Sequence, residues 1–250
     1  MNIAEKLTGF AEPLCGDSTI SDVRIGLGYS CVELDNGGMG VAWTPSRSPT
    51  GSCTHLSHAG GLLGLAAKES LSWLNSDTML ERAVGLATFN ALNSKVSRNF
   101  VDDEAISLLK LQAGEHVVMI GHFAPIEQRI KKTGCRLEII ELDPGKPGNL
   151  GILNTRQDFS ALARCDVAII TATSIINKTI DALLAAMQNS RAAVLLGPST
   201  PLCPEAFAGT RITQFSGAHV LQPGKIKAIV SQGGGTMLMK NFLQFHSVSI

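Results

Sequence analysis

Four short segments of this chain place glycine or polar side chains directly after runs of aliphatic and β-branched residues, and their chemistry suits a small polar ligand. Gly121-His122-Phe123 follows VVMI, Glu141 and Asp143 close LEIIEL, Thr171, Thr173 and Ser174 follow VAII with Asn177 close behind, and Gly197-Pro198-Ser199-Thr200 follows AVLL. A glycine lets backbone approach a bound group. The His122 imidazole can ligate a metal or carry a proton near neutral pH. Glu141 stands about 20 residues beyond Gly121, where dinucleotide-binding folds hold a ribose hydroxyl with an acid. No G-x-G-x-x-G precedes it, so a nucleoside-like ligand and a plain loop acid both remain open. Thr171, Thr173 and Ser174 offer hydroxyls that donate and accept, whereas Asn177 also suits an N-cap for a helix running to residue 188. Ser199 and Thr200 sit in a loop stiffened by Pro198, Pro201 and Pro204, so they can donate to an anion at little entropic cost.

A second cluster, Cys53-Thr54-His55-Leu56-Ser57-His58, groups a thiol and two imidazoles. These donors suit zinc, copper or nickel, and the two histidines share a face only if a helix begins there. The same segment reads equally well as a polar loop. His122 and Glu141 are the other metal-ligand candidates. Tyr29, Cys31 and Trp43 on the hairpin are candidates to face the cleft, with core packing the favoured expectation. There is no phosphate-binding P-loop, no G-x-S-x-G elbow and no H-E-x-x-H pair.

The elements that must position these residues fall into two rhythms. Residues 2–14 read as a helix. Residues 22–34 read as one strand, Asp35-Asn36-Gly37-Gly38 as a turn and 40–44 as the returning strand. Residues 61–74 and 77–92 follow as amphipathic helices, the second capped by Asp77. After a polar stretch at 93–103, strands at 117–120, 137–142, 167–171, 193–197 and 212–220 alternate with helical segments at 125–132, 159–164, 177–188 and 224–232. That alternation indicates an α/β fold with a parallel sheet, in which ligands bind beyond the carboxyl ends of the strands.

Composition narrows the function further. With Lys+Arg and Asp+Glu both at 21 and aromatics at 5%, the chain lacks the charge footprint and stacking platform of a nucleic-acid binder. No apolar run is long enough to span a membrane, and residues 1–14 do not resemble a secretory signal. The six scattered cysteines read as reduced thiols of a cytoplasmic protein. A homodimer is the default assembly.

The chain resembles the proteins known as the putative heavy-metal chelation family. The resemblance is carried by Gly121-His122-Phe123, Glu141 and Asp143, the segment from Thr171 to Asn177 and above all Gly197-Pro198-Ser199-Thr200-Pro201. In the first half it rests on Gly85 through Asn90-Ala91-Leu92 and on the Gly26 to Gly40 hairpin. It implies a small α+β domain resembling the N-terminal domain of enolase (1–100), then a Rossmann-like parallel-sheet domain (101–250), with a site in the cleft between them. The ligand-binding set is then Asn90, Gly121, His122, Phe123, Glu141, Asp143, Thr171, Thr173, Ser174, Asn177, Gly197, Pro198, Ser199 and Thr200. The partner implied is a small molecule or metal ion, with a divalent heavy metal as the candidate cofactor. The alternative is an enzyme acting on a nucleoside-like or anionic ligand, with His122 as the acid–base group.

Overall fold

The computed structural model describes residues 1–45, 54–101, 104–141 and 159–249. Helix α1 (Ile3–Cys15) opens with a capping box. The Asn2 side chain accepts from the Glu5 N–H at 2.9 Å, and Glu5 Oε2 accepts from the Asn2 N–H at 2.8 Å. Ile3, Leu7, Ala11 and Cys15 recur at helical spacing and form its buried face.

The expected single strand over 22–34 is two strands. β1 (Ile20–Ile25) and β2 (Tyr29–Leu34) pair antiparallel, and β3 (Met39–Trp43) completes a sheet of order β1-β2-β3. The chain folds back at Gly26-Leu27-Gly28, where the Gly26 N–H donates to the Tyr29 carbonyl at 2.9 Å, and Gly26 lies against a later helix: a Cβ there would stand 2.0 Å from the Val230 carbonyl oxygen. The turn expected at 35–38 lies between β2 and β3, where the Gly38 N–H donates to Asn36 Oδ1 at 2.9 Å. The helix expected over 61–74 shortens to α2 (Ala67–Ser72) followed by a 3-10 turn at Trp73–Asn75. Gly60 and Gly64 upstream adopt positive φ, which no helix accommodates. Helix α3 (Met79–Asn93) begins after Thr78 rather than Asp77, whose carboxylate pairs instead with Lys178 at 2.9 Å.

The second half begins with α4 (Ala105–Leu108). It continues through β4 (His116–Ile120), α5 (Ala124–Ile130), β5 (Arg136–Ile140), β6 (Val167–Thr171), α6 (Thr173–Ile176), α7 (Ile180–Ala186), β7 (Ala192–Leu196), β8 (Gln214–Val220), α8 (Pro223–Ser231), α9 (Thr236–Met239) and β9 (Leu243–Ser249). The six-stranded sheet has the order β5-β4-β6-β7-β8-β9, with its first five strands parallel and β9 antiparallel to β8. Strand β9 was not expected, although Leu243-Gln244-Phe245-His246 alternates apolar and polar; Leu243, His246, Ser247 and Val248 are buried, and Gln244 and Phe245 are exposed. Residues 160–164 form turns instead of the expected helix. Asn177 is not an N-cap but closes α6, and α7 starts three residues later.

Alternation sorts the sheet's side chains onto two faces. Val118, Ile120, Ala168 and Ile170 join the large core shared with α1, α3 and the small sheet. Val117, Met119, Val167 and Ile169 join a second core with Ile106 and Ile130. A third cluster joins Cys31, Met39 and Val41 of the small sheet to Ile226 and Val230 of α8 and Met239 of α9. Arg82, 4% exposed, also bridges the two halves: its Nε donates to the Ile176 carbonyl and its Nη1 to the Ser76 carbonyl, each at 2.6 Å. Cys15, Cys31, Cys165 and Cys203 are buried free thiols, and Cys135 is free and half-buried. Among the described residues no helix is long and apolar enough to cross a membrane.

Candidate functional site

The strand order reverses between β4 and β6, which leave the sheet's centre in opposite directions through the chain, and such a reversal opens a crevice at the carboxyl ends. Gly121 ends β4 there with φ +83°, and a Cβ at that position would stand 3.0 Å from Thr171 Cγ2 at the end of β6. Only glycine combines that conformation with that closeness. A cavity of about 600 Å³ sits over this point.

The structure brings most of the expected residues to that cavity. Gly121, His122, Phe123, Glu141, Thr171, Thr173, Ser174, Asn177, Gly197, Pro198 and Ser199 all line it. Thr200 does not; it is 2% exposed, and its Oγ1 is buried without a hydrogen-bond partner. Asn90 holds backbone rather than lining the cavity, since its amide donates to the Val41 carbonyl at 3.0 Å and the Ser199 carbonyl at 3.2 Å. Asp143 and Cys53 lie outside the described residues.

The histidine cluster does not join the site. Residues 54–66 form no helix, which removes the shared face His55 and His58 needed. His55 lines a separate surface hollow with Asp22 and Arg24. His58 lies 5.0 Å from the Trp73 ring, and its Nδ1 bonds the Ser57 hydroxyl at 3.1 Å. Among the described residues, no three His, Cys, Asp or Glu side chains are grouped to hold a metal ion.

His122 is held by two carboxylates. Its backbone N–H donates to Glu141 Oε2 at 3.0 Å, and its Nε2 meets Glu127 Oε2 at 2.7 Å. The Lys131 ammonium at 2.6 Å, and after it the His122 ring, hold the Glu127 carboxyl below the usual carboxylate range. An ionised carboxylate only accepts, so Nε2 carries a proton, and whenever the ring is neutral its lone pair is on Nδ1. The sequence offered Glu141 beside His122 as a metal-ligand candidate, but not Glu127. The available signal was an acid in the first turn of α5, five residues after the histidine.

The hydroxyls are partly engaged. Thr171 and Thr173 share one hydrogen bond at 3.0 Å, and Ser174 donates to the Thr171 carbonyl at 2.7 Å. Ser199 ties the loop after β7 to the small sheet. The Thr44 N–H bonds the Gly28 carbonyl at 3.1 Å, so the adjacent Trp43 N–H points away from β2, and it donates to Ser199 Oγ at 2.8 Å. Ser199 Oγ accepts there and retains its own proton as a donor.

Two of the hairpin rings both pack against hydrophobic clusters and line the cavity. Tyr29 and Trp43 face each other across β2 and β3 as a register pair, and both are half-buried. The Tyr29 hydroxyl bonds the Thr236 hydroxyl at 2.9 Å, and burial pushes the phenol's pKa up, so it stays protonated. Cys31, on the same strand, is buried as expected, and burial lifts its thiol to about 12.

Comparison with known proteins bears on the whole chain. A family model described as putative heavy-metal chelation matches residues 104–249, and a second model of the same description matches residues 10–93. An uncharacterized protein of Methanocaldococcus jannaschii is 24% identical over 241 residues, covering 94% of this chain and 91% of the relative. A crystal structure of a protein of unknown function from Pyrococcus horikoshii superposes with a TM-score of 0.85 at 20% identity, covering 100% of both chains. Another from Desulfitobacterium hafniense superposes with a TM-score of 0.79 at 24% identity, covering 98% of this chain and 99% of its own. At those identities the structural likeness speaks to fold alone.

Proposed function

The chain belongs to the family described as putative heavy-metal chelation, and from that premise we propose that its cavity binds a small organic molecule carrying a divalent heavy-metal ion. We read the chain as two units, 1–100 and 101–250, with the site in the cleft between them. The observation that carries the reading is the His122–Glu127 pair at 2.7 Å on a strand end beside the cavity. A metal-ligating histidine typically gives its other ring N–H to a carboxylate, which fixes the tautomer and raises ligand basicity.

The donor set fits an ion that arrives with ligands of its own. Among the described lining residues, His122 Nδ1 and the buried Glu141 are the strong donors, whereas a closed structural site takes four. The volume of about 600 Å³ is that of a small-molecule site, far larger than an ion needs. Bound there, the ion would supply Lewis acidity, and the protein's part is to position the complex and shield it from water.

The test is calorimetry with Cu²⁺ and Ni²⁺, alone and as complexes of small chelators. At least one complex binds the wild type, His122→Ala weakens it by about tenfold or more, and Glu127→Gln weakens it within the roughly 10–100-fold range of outer-shell changes. Circular dichroism confirms that each variant is folded. Absence of heat with every ion and complex, or equal binding by His122→Ala, overturns the reading.

A further inference from the structure

We propose that β1 is a docking edge for a second copy of this chain. The segment from Ser21 to Ile25 pairs antiparallel with itself across a two-fold axis at Val23, so that Asp22 stands opposite the partner's Arg24 and Arg24 opposite the partner's Asp22. β1 is an outer strand of the small sheet. Its hairpin closes with the Gly26 N–H on the Tyr29 carbonyl at 2.9 Å, and the register then makes Arg24–Cys31 and Asp22–Glu33 the hydrogen-bonded pairs. The backbone N–H and C=O groups of Val23 and Ile25 therefore point away from β2. Upstream that side is taken, because the Ile20 N–H donates to the Leu65 carbonyl and the Gly64 N–H to the Ile20 carbonyl, each at 2.9 Å. Among the described residues no further strand pairs with β1. Other outer strands are covered: β9 exchanges two hydrogen bonds with Val101 through Ser247, and β3 gives its Val41 carbonyl to Asn90 and its Trp43 N–H to Ser199.

A hollow of about 710 Å³ runs along this edge. Asp22, Val23, Arg24 and Ile25 all line it, and consecutive residues of a strand face opposite sides, so only a hollow at the strand's flank can touch all four. Its floor is the segment 54–63. Leu56 and Leu62 of that segment belong to the large core, against which Val23 also packs, so the segment lies on Val23's face of the sheet and leaves the lane beside β1 open. Ile25 is 39% and Leu63 67% exposed, apolar surface at this hollow that a second copy covers.

Charge selects the partner and the register. Edge strands often carry charge that blocks pairing, but here the signs alternate. Two copies joined across a two-fold must offer each other their outward-pointing residues, which puts the axis at position 22, 23 or 24. At Asp22 the axis sets that acid against its own copy, and at Arg24 it sets two guanidiniums together. At Val23 each acid faces a base, in the pair type where side chains approach most closely. Both groups already share a face of β1, with Arg24 Nε 2.7 Å from Asp22 Oδ1 and the Arg24 side chain half exposed. Two such pairs then close a ring of four alternating charges.

Sedimentation equilibrium on the full chain, from roughly 1 µM to 1 mM, reads the association. The wild type is expected to dimerise reversibly. Arg24→Asp and Asp22→Lys each weaken self-association by roughly tenfold or more, because two facing attractions become repulsions. An equal mixture of the two variants, one with two acids on the strand and the other with two bases, recovers the dimer as a heterodimer, which a misfolded variant could not do. Val23→Pro removes the donor at the axis and also dissociates the dimer, while circular dichroism reports the fold of each variant. A wild type that is monomeric throughout, a dimer indifferent to both charge variants, or a mixture that associates no better than its components overturns the proposal. If a synthetic peptide of residues 20–27 binds a chain that itself stays monomeric, the edge receives an extended peptide and the second copy is overturned as its occupant.

Discussion

Ser199 and Thr200 are neighbours in one proline-bound loop, and substituting them should move stability in opposite directions. Ser199 is 2% exposed, and its Oγ accepts the Trp43 N–H at 2.8 Å. Ser199→Ala leaves that donor without its acceptor, at a cost of about 1–3 kcal/mol. In a chain of this length each kcal/mol corresponds to a melting shift of about 2–4 °C. A loss near ~2 kcal/mol therefore lowers the melting temperature by about 4–8 °C. Thr200 is also 2% exposed, but its Oγ1 is buried with no partner. Thr200→Val keeps the shape and removes a desolvated hydroxyl, so it should be neutral or raise stability by up to about 1 kcal/mol. Calorimetric melts and urea titrations of the two single variants measure both effects. Ligand affinity should follow Ser199, because the bond to Trp43 holds one wall of the cavity, and should ignore Thr200. An unchanged melt for Ser199→Ala together with a falling one for Thr200→Val would refute the reasoning, because the roles of the two hydroxyls would then be reversed.

Three further outcomes are expected. Gly121→Ala should cost about 1–2 kcal/mol from the left-handed backbone alone, plus the clash with Thr171 Cγ2 at 3.0 Å. Adding Thr171→Ser recovers only the Cγ2 part of the clash, because Thr171 Cβ also stands 3.1 Å away, and a Gly121→Ala variant that melts like the wild type sinks the argument. Tyr29→Phe removes the bond to Thr236 and should speed amide exchange over 233–239 by severalfold while costing globally about 1 kcal/mol or less; unchanged exchange there would show that the bond does not hold α9. The His219 pKa is pushed down to about 4, first by burial and then by His246, which lies 5.2 Å away ring to ring. The unfolded chain takes up that proton near pH 6.5. Stability from this group is therefore complete above about pH 6.5, falls as the pH drops toward 4 and levels below it. Urea midpoints of the wild type should fall relative to those of His219→Leu as the pH drops through that window, and parallel curves would count against it.

Much of the second half was legible because parallel strands buried on both faces are continuous apolar runs, and VVMI, VAII and AVLL each became a strand. The position of the cavity residues followed from the rule that ligands sit beyond strand ends. Other features carried a weaker local mark. The turn at Gly26-Leu27-Gly28 had only its two glycines to announce it, and the tertiary structure adds that the Val230 carbonyl leaves no room for a side chain at Gly26. Strand β9 has only the short alternation Leu243-Gln244-Phe245-His246 of its own, and its pairing with β8 runs from Leu243 to Ser249. Glu127 could be recognised as His122's partner only after α5 had turned it back toward the end of β4.

Local order thus determined which residues could do chemistry and roughly which element each belongs to, because periodicity, turn residues and strand-end composition are properties of neighbours in the chain. Tertiary structure alone decided who meets whom. It gave Ser199 to Trp43, Asn90 to the backbone of two distant segments and Tyr29 to Thr236, and it sent His55 and His58 elsewhere. The physical reason is that such contacts depend on where whole sheets and helices settle when their apolar faces are buried, and that outcome belongs to the packed molecule rather than to any single stretch of it.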